Sequence, residues 1–116
     1  MSDSIFVIDR RDPLMGLERE DFIHILKEKL AGRVTSAWIF GSFAAGRLKP
    51  SSDIDLILVV STTTPFLERG KEFFDLLDIG PTIDILVYTP EEFQKLTENP
   101  TAGFWKSVCR EMIQIV

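Results

Sequence analysis

Three short apolar runs fix the class of fold open to this chain: Val34 to Phe40, Ile54 to Val60 and Thr82 to Tyr88. Each is too short for a typical helix, and the second is almost purely β-branched residues and leucine, so each reads as a strand. The mostly apolar character of the first two implies strands buried on both faces.

The intervening segments supply helices. From Leu17 to Ala31, Phe22, Leu26 and Leu30 recur every fourth residue with Ile23 beside them, and Gly32 follows where a left-handed cap would sit. Thr64-Pro65 places an N-cap and a first-turn proline before Phe66, Phe73, Phe74 and Leu77, which predicts a second helix running to Gly80-Pro81. Thr89-Pro90-Glu91-Glu92 is a capping box that opens a third helix ending near Glu98. Beyond Asn99-Pro100, Phe104, Trp105 and Val108 predict a last short helix, and Met112 to Val116 a closing strand. With a short helix expected at Gly41-Ser42, the predicted order is αβαβαβααβ: an α/β or α+β fold with a small mixed sheet flanked by helices. Ile5 to Ile8 could add a short strand ahead of it.

At 116 residues the chain is expected to form one domain spanning 1–116. Its 45% hydrophobic content, with nine phenylalanines, is enough for a packed core. No apolar run reaches the roughly 18–20 residues that cross a bilayer, and the N-terminus lacks the features of a signal peptide, so a cytoplasmic location without membrane attachment is expected. Cys109 is the sole cysteine and His24 the sole histidine, which excludes an internal disulfide and a structural zinc site. A net charge of −5 argues against nonspecific nucleic-acid binding and duplex polymerisation, which need many phosphate-neutralising cations.

Polar chemistry interrupts the core in one stretch, Phe40-Gly41-Ser42 through Ser52-Asp53-Ile54-Asp55-Leu56. Side chains alternate along a strand, so Asp53 and Asp55 share one side while Ile54 and Leu56 take the other. The third strand repeats the pattern with Asp84 between Ile83 and Ile85. If the two strands pair, three carboxylates converge, and their repulsion calls for a cation. Carboxylates without histidine or cysteine suit a hard ion, Mg²⁺ or alternatively Mn²⁺, that shares its shell with substrate phosphates. Gly41 permits close backbone approach and Ser42 adds a hydroxyl at a helix start, where anions are attracted. Arg47 and Lys49 are candidate phosphate contacts, but exposed loop charges explain them equally well. Phosphate site and acidic metal site together describe phosphoryl or nucleotidyl transfer. His24, Cys109, Trp38 and Trp105 read as surface or packing residues.

Gly41-Ser42, ten residues, Asp53-x-Asp55 and a later strand acid, Asp84, resemble the signature of the DNA polymerase β-like nucleotidyltransferase superfamily. The pattern is most similar to the minimal nucleotidyltransferases, the antitoxin-type group often encoded beside a helical HEPN protein, and the resemblance covers nearly the whole chain. It implies that Asp53, Asp55 and Asp84 are catalytic metal ligands, that Asp84 helps activate the attacking hydroxyl, and that Gly41 and Ser42 hold the triphosphate. ATP or another nucleoside triphosphate is the implied substrate, and a HEPN-type protein the implied partner and acceptor. The chain departs from the family's frequent Gly-Ser-x-Ala-Arg-Gly pattern by carrying Ala45, which bears on acceptor contacts more than on the metal site. Two alternatives stand beside transfer to a protein: a small-molecule nucleotidyltransferase of the aminoglycoside-modifying kind, which usually carries a further domain for its acceptor, and a non-catalytic antitoxin that neutralises its partner by contact. The sequence leaves self-association open.

Overall fold

A computed structural model describes residues 12–49, 52–80, 82–100 and 103–116. The predicted strand at Ile5 to Ile8 lies outside the described residues. Helix α1 (Arg19–Leu30) buries Phe22, Leu26 and Leu30, with acids in its first turn and lysines in its last, the order that complements the helix dipole. Strand β1 (Ser36–Phe40) runs directly into a single helical turn, α2 (Gly41–Ala44). Strand β2 (Ile54–Val59), a 3₁₀ segment (Phe66–Asp78), strand β3 (Ile83–Tyr88), helix α3 (Pro90–Glu98), helix α4 (Gly103–Glu111) and the two-residue strand β4 (Ile113–Gln114) follow.

The strands form one mixed sheet in the order β3-β2-β1-β4. The β1 strand pairs antiparallel with both β2 and β4, whereas β2 and β3 are parallel and joined through the 3₁₀ segment. Alternation sorts the side chains into two apolar layers. On one face, Ile54, Leu56 and Leu58 of β2 pack with Phe22, Leu26 and Leu30 of α1 and with Phe73 and Leu76. On the other, Ile57 and Val59 pack with Phe40 and Val108, flanked by Trp38, Leu86, Tyr88, Phe93 and Trp105. Asp55 lies on this second face by parity, at the end of β2 where the apolar layer stops.

The reading of Thr64 to Gly80 as an α-helix with Phe66, Phe73, Phe74 and Leu77 on one stripe is corrected. The segment is 3₁₀, and its backbone leaves helical geometry at Phe73. Three residues per turn bring Phe73 and Leu76 inward, i to i+3, and leave Phe66, Phe74 and Leu77 exposed. Its first cap is Pro65 without a side-chain bond, so Thr64 is not the cap.

Arg69 is the buried charge of this segment. Its guanidinium donates to the carbonyls of Thr64 and Val87 and to the Glu92 carboxylate, 2.6 Å away. Glu92 in turn completes the capping box with Thr89, so one arginine ties the 3₁₀ segment, the end of β3 and the start of α3 together.

Candidate active site

The antiparallel register sets Phe40 of β1 opposite Asp55 of β2, and the parallel register sets Asp84 of β3 on its other side. Two carboxylates are thus neighbours across the sheet at the N-terminal ends of β2 and β3. Asp53 precedes β2 by one residue and is exposed, and its side chain comes within hydrogen-bonding reach of Asp84. The loops that bring the acids in are tied to each other: Ile54 N–H donates to the Thr82 carbonyl at 3.0 Å, and the Thr82 hydroxyl to the Ser52 carbonyl at 3.3 Å.

The electrostatics of the cluster follow from this placement. Partial burial, then the negative charges of Asp84 and Asp53, raise the Asp55 carboxyl above its ordinary range. Asp84 is raised by burial, by the charge of Asp53 and by its hydrogen bond to Asp53. These shifts mark a cluster of carboxylates that raise one another's affinity for a proton.

Gly41 is fixed here twice over. Its φ of +75° lies in the left-handed region, and a Cβ built on it would overlap Oδ2 of Asp55. The glycine therefore lets the chain turn sharply out of β1 and leaves room for the Asp55 carboxylate. The turn closes through Ala45 N–H to the Gly41 carbonyl at 3.0 Å and Arg47 N–H to the Ser42 carbonyl at 2.8 Å. Arg19, at the start of α1, lies over the Phe43 ring and donates to the Phe43 carbonyl, pinning α2 from behind.

Asp53, Asp55, Asp84 and Gly41 are brought together; Ser42 lies in the same turn, half-buried. Arg47 and Lys49 are exposed: the Arg47 guanidinium is 3.9 Å from Glu111, and Lys49 has its backbone N–H on the Ser52 hydroxyl. Among the described residues, no three acids, histidines or cysteines are gathered tightly enough to cage a metal by themselves. The coupling of the acids nonetheless fits Mg²⁺, which keeps several waters and takes only one or two carboxylates beside substrate phosphates.

A cleft of 410 Å³ opens over the acids, lined by Phe40, Asp55, Asp84, Ile85, Leu86 and Phe104. A hollow of 240 Å³ shares Phe40, Asp55 and Phe104 with it and adds Gly41, Ser107 and Glu111. A larger hollow of 570 Å³, lined by Ser61, Thr62, Thr63, Thr89 and Glu91, lies at the opposite ends of β2 and β3. It is bigger but contains no converging charges, so size alone does not locate the chemistry. The contribution of α4 to the cleft was not foreseen from the sequence, where Phe104 served only to predict that helix. Phe104 lies four residues before buried Val108, on the stripe expected to face the core, so its spacing gave no sign of a cleft position.

A mixed sheet whose parallel strand pair presents two acids beside a glycine turn from a third strand is a nucleotidyltransferase fold. The chain belongs to the nucleotidyltransferase domain family, whose model matches residues 19–102. It is 32% identical over 77 residues to a Methanocaldococcus jannaschii protein described as a "putative protein adenylyltransferase", covering 66% of this chain and 75% of that one. In fold it is similar to a crystal structure described as a "putative nucleotidyltransferase" of Sulfolobus solfataricus, with a TM-score of 0.52 at 22% identity over 70% of this chain and 84% of that one. A toxin–antitoxin structure with AMP-PNP aligns at a TM-score of 0.49 and 17% identity, covering 86% of this chain and 73% of that one, a likeness too slight to establish a common fold.

Proposed function

We propose that this protein transfers the AMP moiety of ATP to a hydroxyl group of a partner protein, with Asp53, Asp55 and Asp84 as the catalytic acids. The observation that carries the reading is the register pair Asp55 and Asp84, with Gly41 packed against Asp55. Membership of the nucleotidyltransferase family supports the reaction class. The relative described as a protein adenylyltransferase supports both AMP as the group moved and a protein as the acceptor. The motif's likeness to antitoxin-type members makes a HEPN-type protein the partner of choice.

Asp53 and Asp55, with Asp84 beside them, are the ligands that would hold Mg²⁺, which when bound neutralises the triphosphate and the charge that develops at the α-phosphorus. Gly41 and Ser42 present backbone and hydroxyl to the phosphates. Asp84, exposed at the cleft and raised in pKa, takes the proton of the attacking hydroxyl. The acceptor oxygen bonds to the α-phosphorus, the α–β phosphoanhydride bond breaks, and pyrophosphate leaves. Arg47 and Lys49, on the loop after α2, would meet the outer phosphates once Arg47 leaves Glu111.

The test is incubation with ATP, Mg²⁺ and a HEPN-type protein as the candidate acceptor, read by mass spectrometry of the intact acceptor. An added AMP that disappears with chelator and with Asp55→Asn is expected. An unmodified acceptor that is nevertheless bound and silenced would make the chain a non-catalytic antitoxin.

A further inference from the structure

The acids and the glycine turn account for one end of a nucleotide, its phosphates. Nothing so far accounts for the base, and the cleft has one further feature that the packing does not explain. Phe104 stands in the first turn of α4 with 54% of its surface exposed, although Trp105, Val108 and Met112 already form that helix's packed stripe. Its position is nonetheless held. Phe40 meets it edge-on at 6.0 Å and 88°, and Trp105 at 5.5 Å and 86°. Because both neighbours are perpendicular to it, neither stacks in parallel upon its ring.

Phe104 also lines both hollows that contain Asp55, the one reaching Asp84 and the one reaching Gly41. At 410 Å³ the first lies within the size range of small-molecule sites, roughly 300–1,000 Å³, and the second, at 240 Å³, adjoins it through Phe40, Asp55 and Phe104. An exposed aromatic with two edge-on ring neighbours, beside the acids, has the chemistry to bind a flat π-system.

The geometry points to Phe104 as the platform on which the base of the nucleoside triphosphate stacks. This rests on the nucleotidyl-transfer reading above and extends it to the base. In the larger cleft Phe40, Ile85 and Leu86, the residues beside Phe104 and the acids, offer no side-chain donor or acceptor for a base edge; Ser107 and Glu111 line only the smaller hollow. Phe104 therefore recognises the face of the base and not its edge, so purine triphosphates bind better than pyrimidine ones by stacking area, with little distinction between ATP and GTP. Phe104 is a binding residue: it holds the nucleotide and leaves the reacting atoms to the acids.

Titration calorimetry in Mg²⁺ with two probes, ATP and inorganic tripolyphosphate, tests this on the full chain. Stacking of a base on an aromatic ring is worth about 5- to 150-fold in affinity, so the parent protein should hold ATP at least several-fold more tightly than tripolyphosphate. Phe104→Leu, which keeps an apolar side chain and removes the ring, should erase that difference while leaving tripolyphosphate binding unchanged. Phe104→Trp should retain it. Equal affinity of the parent for both probes would overturn the platform and leave the transfer reading standing, as would a Phe104→Leu protein that keeps the preference. Equal weakening of both probes by Phe104→Leu would make Phe104 structural and overturn the platform too. A parent that binds neither probe in Mg²⁺ would overturn both readings.

Discussion

Replacing Gly41 with alanine should damage the site through two separable effects. A left-handed backbone conformation costs an L-residue about 1–2 kcal/mol, and Gly41 has φ +75°. The added methyl would also overlap Oδ2 of Asp55 and stand 3.2 Å from its Cγ, closer than ordinary packing, but 3.6 Å from its Cβ, an ordinary contact. Forced overpacking of this kind adds about 1–3 kcal/mol. Gly41→Ala should therefore destabilise the protein by about 2–5 kcal/mol, or about 8–20 °C in Tm at some 4 °C per kcal/mol for a domain of this size. Truncation with Asp55→Ala removes the overlapping atoms and keeps Cβ, so in that background Gly41→Ala should cost only the backbone part, about 1–2 kcal/mol. Urea denaturation of all four proteins in metal-free buffer closes the cycle and yields a coupling of about 1–3 kcal/mol. An equal cost of Gly41→Ala in both backgrounds would refute the close approach of Gly41 to Asp55.

Asp55→Asn should raise the stability of the metal-free protein by about 1 kcal/mol at neutral pH, since it removes one member of a like-charge cluster. Burial, Asp84 and Asp53 raise the Asp55 carboxyl above its ordinary 3.8, so its contribution to stability is full below that pH and is lost as pH rises through the folded value. The advantage of the asparagine variant should accordingly vanish in denaturation curves below about pH 3.8 and grow above it; an advantage constant with pH would contradict the cause given. Asp75 and Glu92, lowered by Arg33 and Arg69, act in the opposite sense and lose stability as pH falls, equally in both proteins. Arg69→Ala should cost at least about 2 kcal/mol by orphaning the carbonyls of Thr64 and Val87, and a thermal midpoint within 2–3 °C of the parent's, well inside the shift expected of that loss, would show that water replaces the guanidinium. Mg²⁺ with ATP at a hundred times its Kd should stabilise the fold by about 2.7 kcal/mol, and an equal thermal shift with ATP and chelator would remove the acids from the nucleotide's metal.

The order of elements was legible because this chain punctuates its periodic segments strongly. The capping box at Thr89 and Glu92 formed as its spacing dictates, and the apolar runs became β1, β2 and β3 to within two residues at each end. The facing of Asp55 and Asp84 was legible only as a condition, since alternation fixes which side each acid takes within its own strand but not that the two strands are adjacent and parallel. Three things were out of reach. The 3₁₀ segment hides in a stretch whose aromatic pair Phe73-Phe74 fits an α-helical stripe as well as a tighter one, and burial of Phe73 over Phe74 is decided by the sheet beneath it. Arg69 reads as a surface charge until the Thr64 and Val87 carbonyls, distant from each other in sequence, turn toward it. Phe104 joins the acid cleft through the placement of α4 on the sheet, which no local pattern encodes.

The central claim is that the acids at the ends of β2 and β3 catalyse movement of a nucleoside monophosphate, and the position of the label within ATP tests it most directly. The protein and the proposed HEPN-type acceptor are incubated with Mg²⁺ and ATP labelled either at the α- or at the γ-phosphate, beside parallel reactions with Asp55→Asn. Nucleotidyl transfer predicts that the partner gains α-label but no γ-label, that pyrophosphate is released in equal amount, and that Asp55→Asn abolishes both. Label arriving from the γ-phosphate, or α-label arriving undiminished with Asp55→Asn, would contradict the assignment of the reaction to these residues.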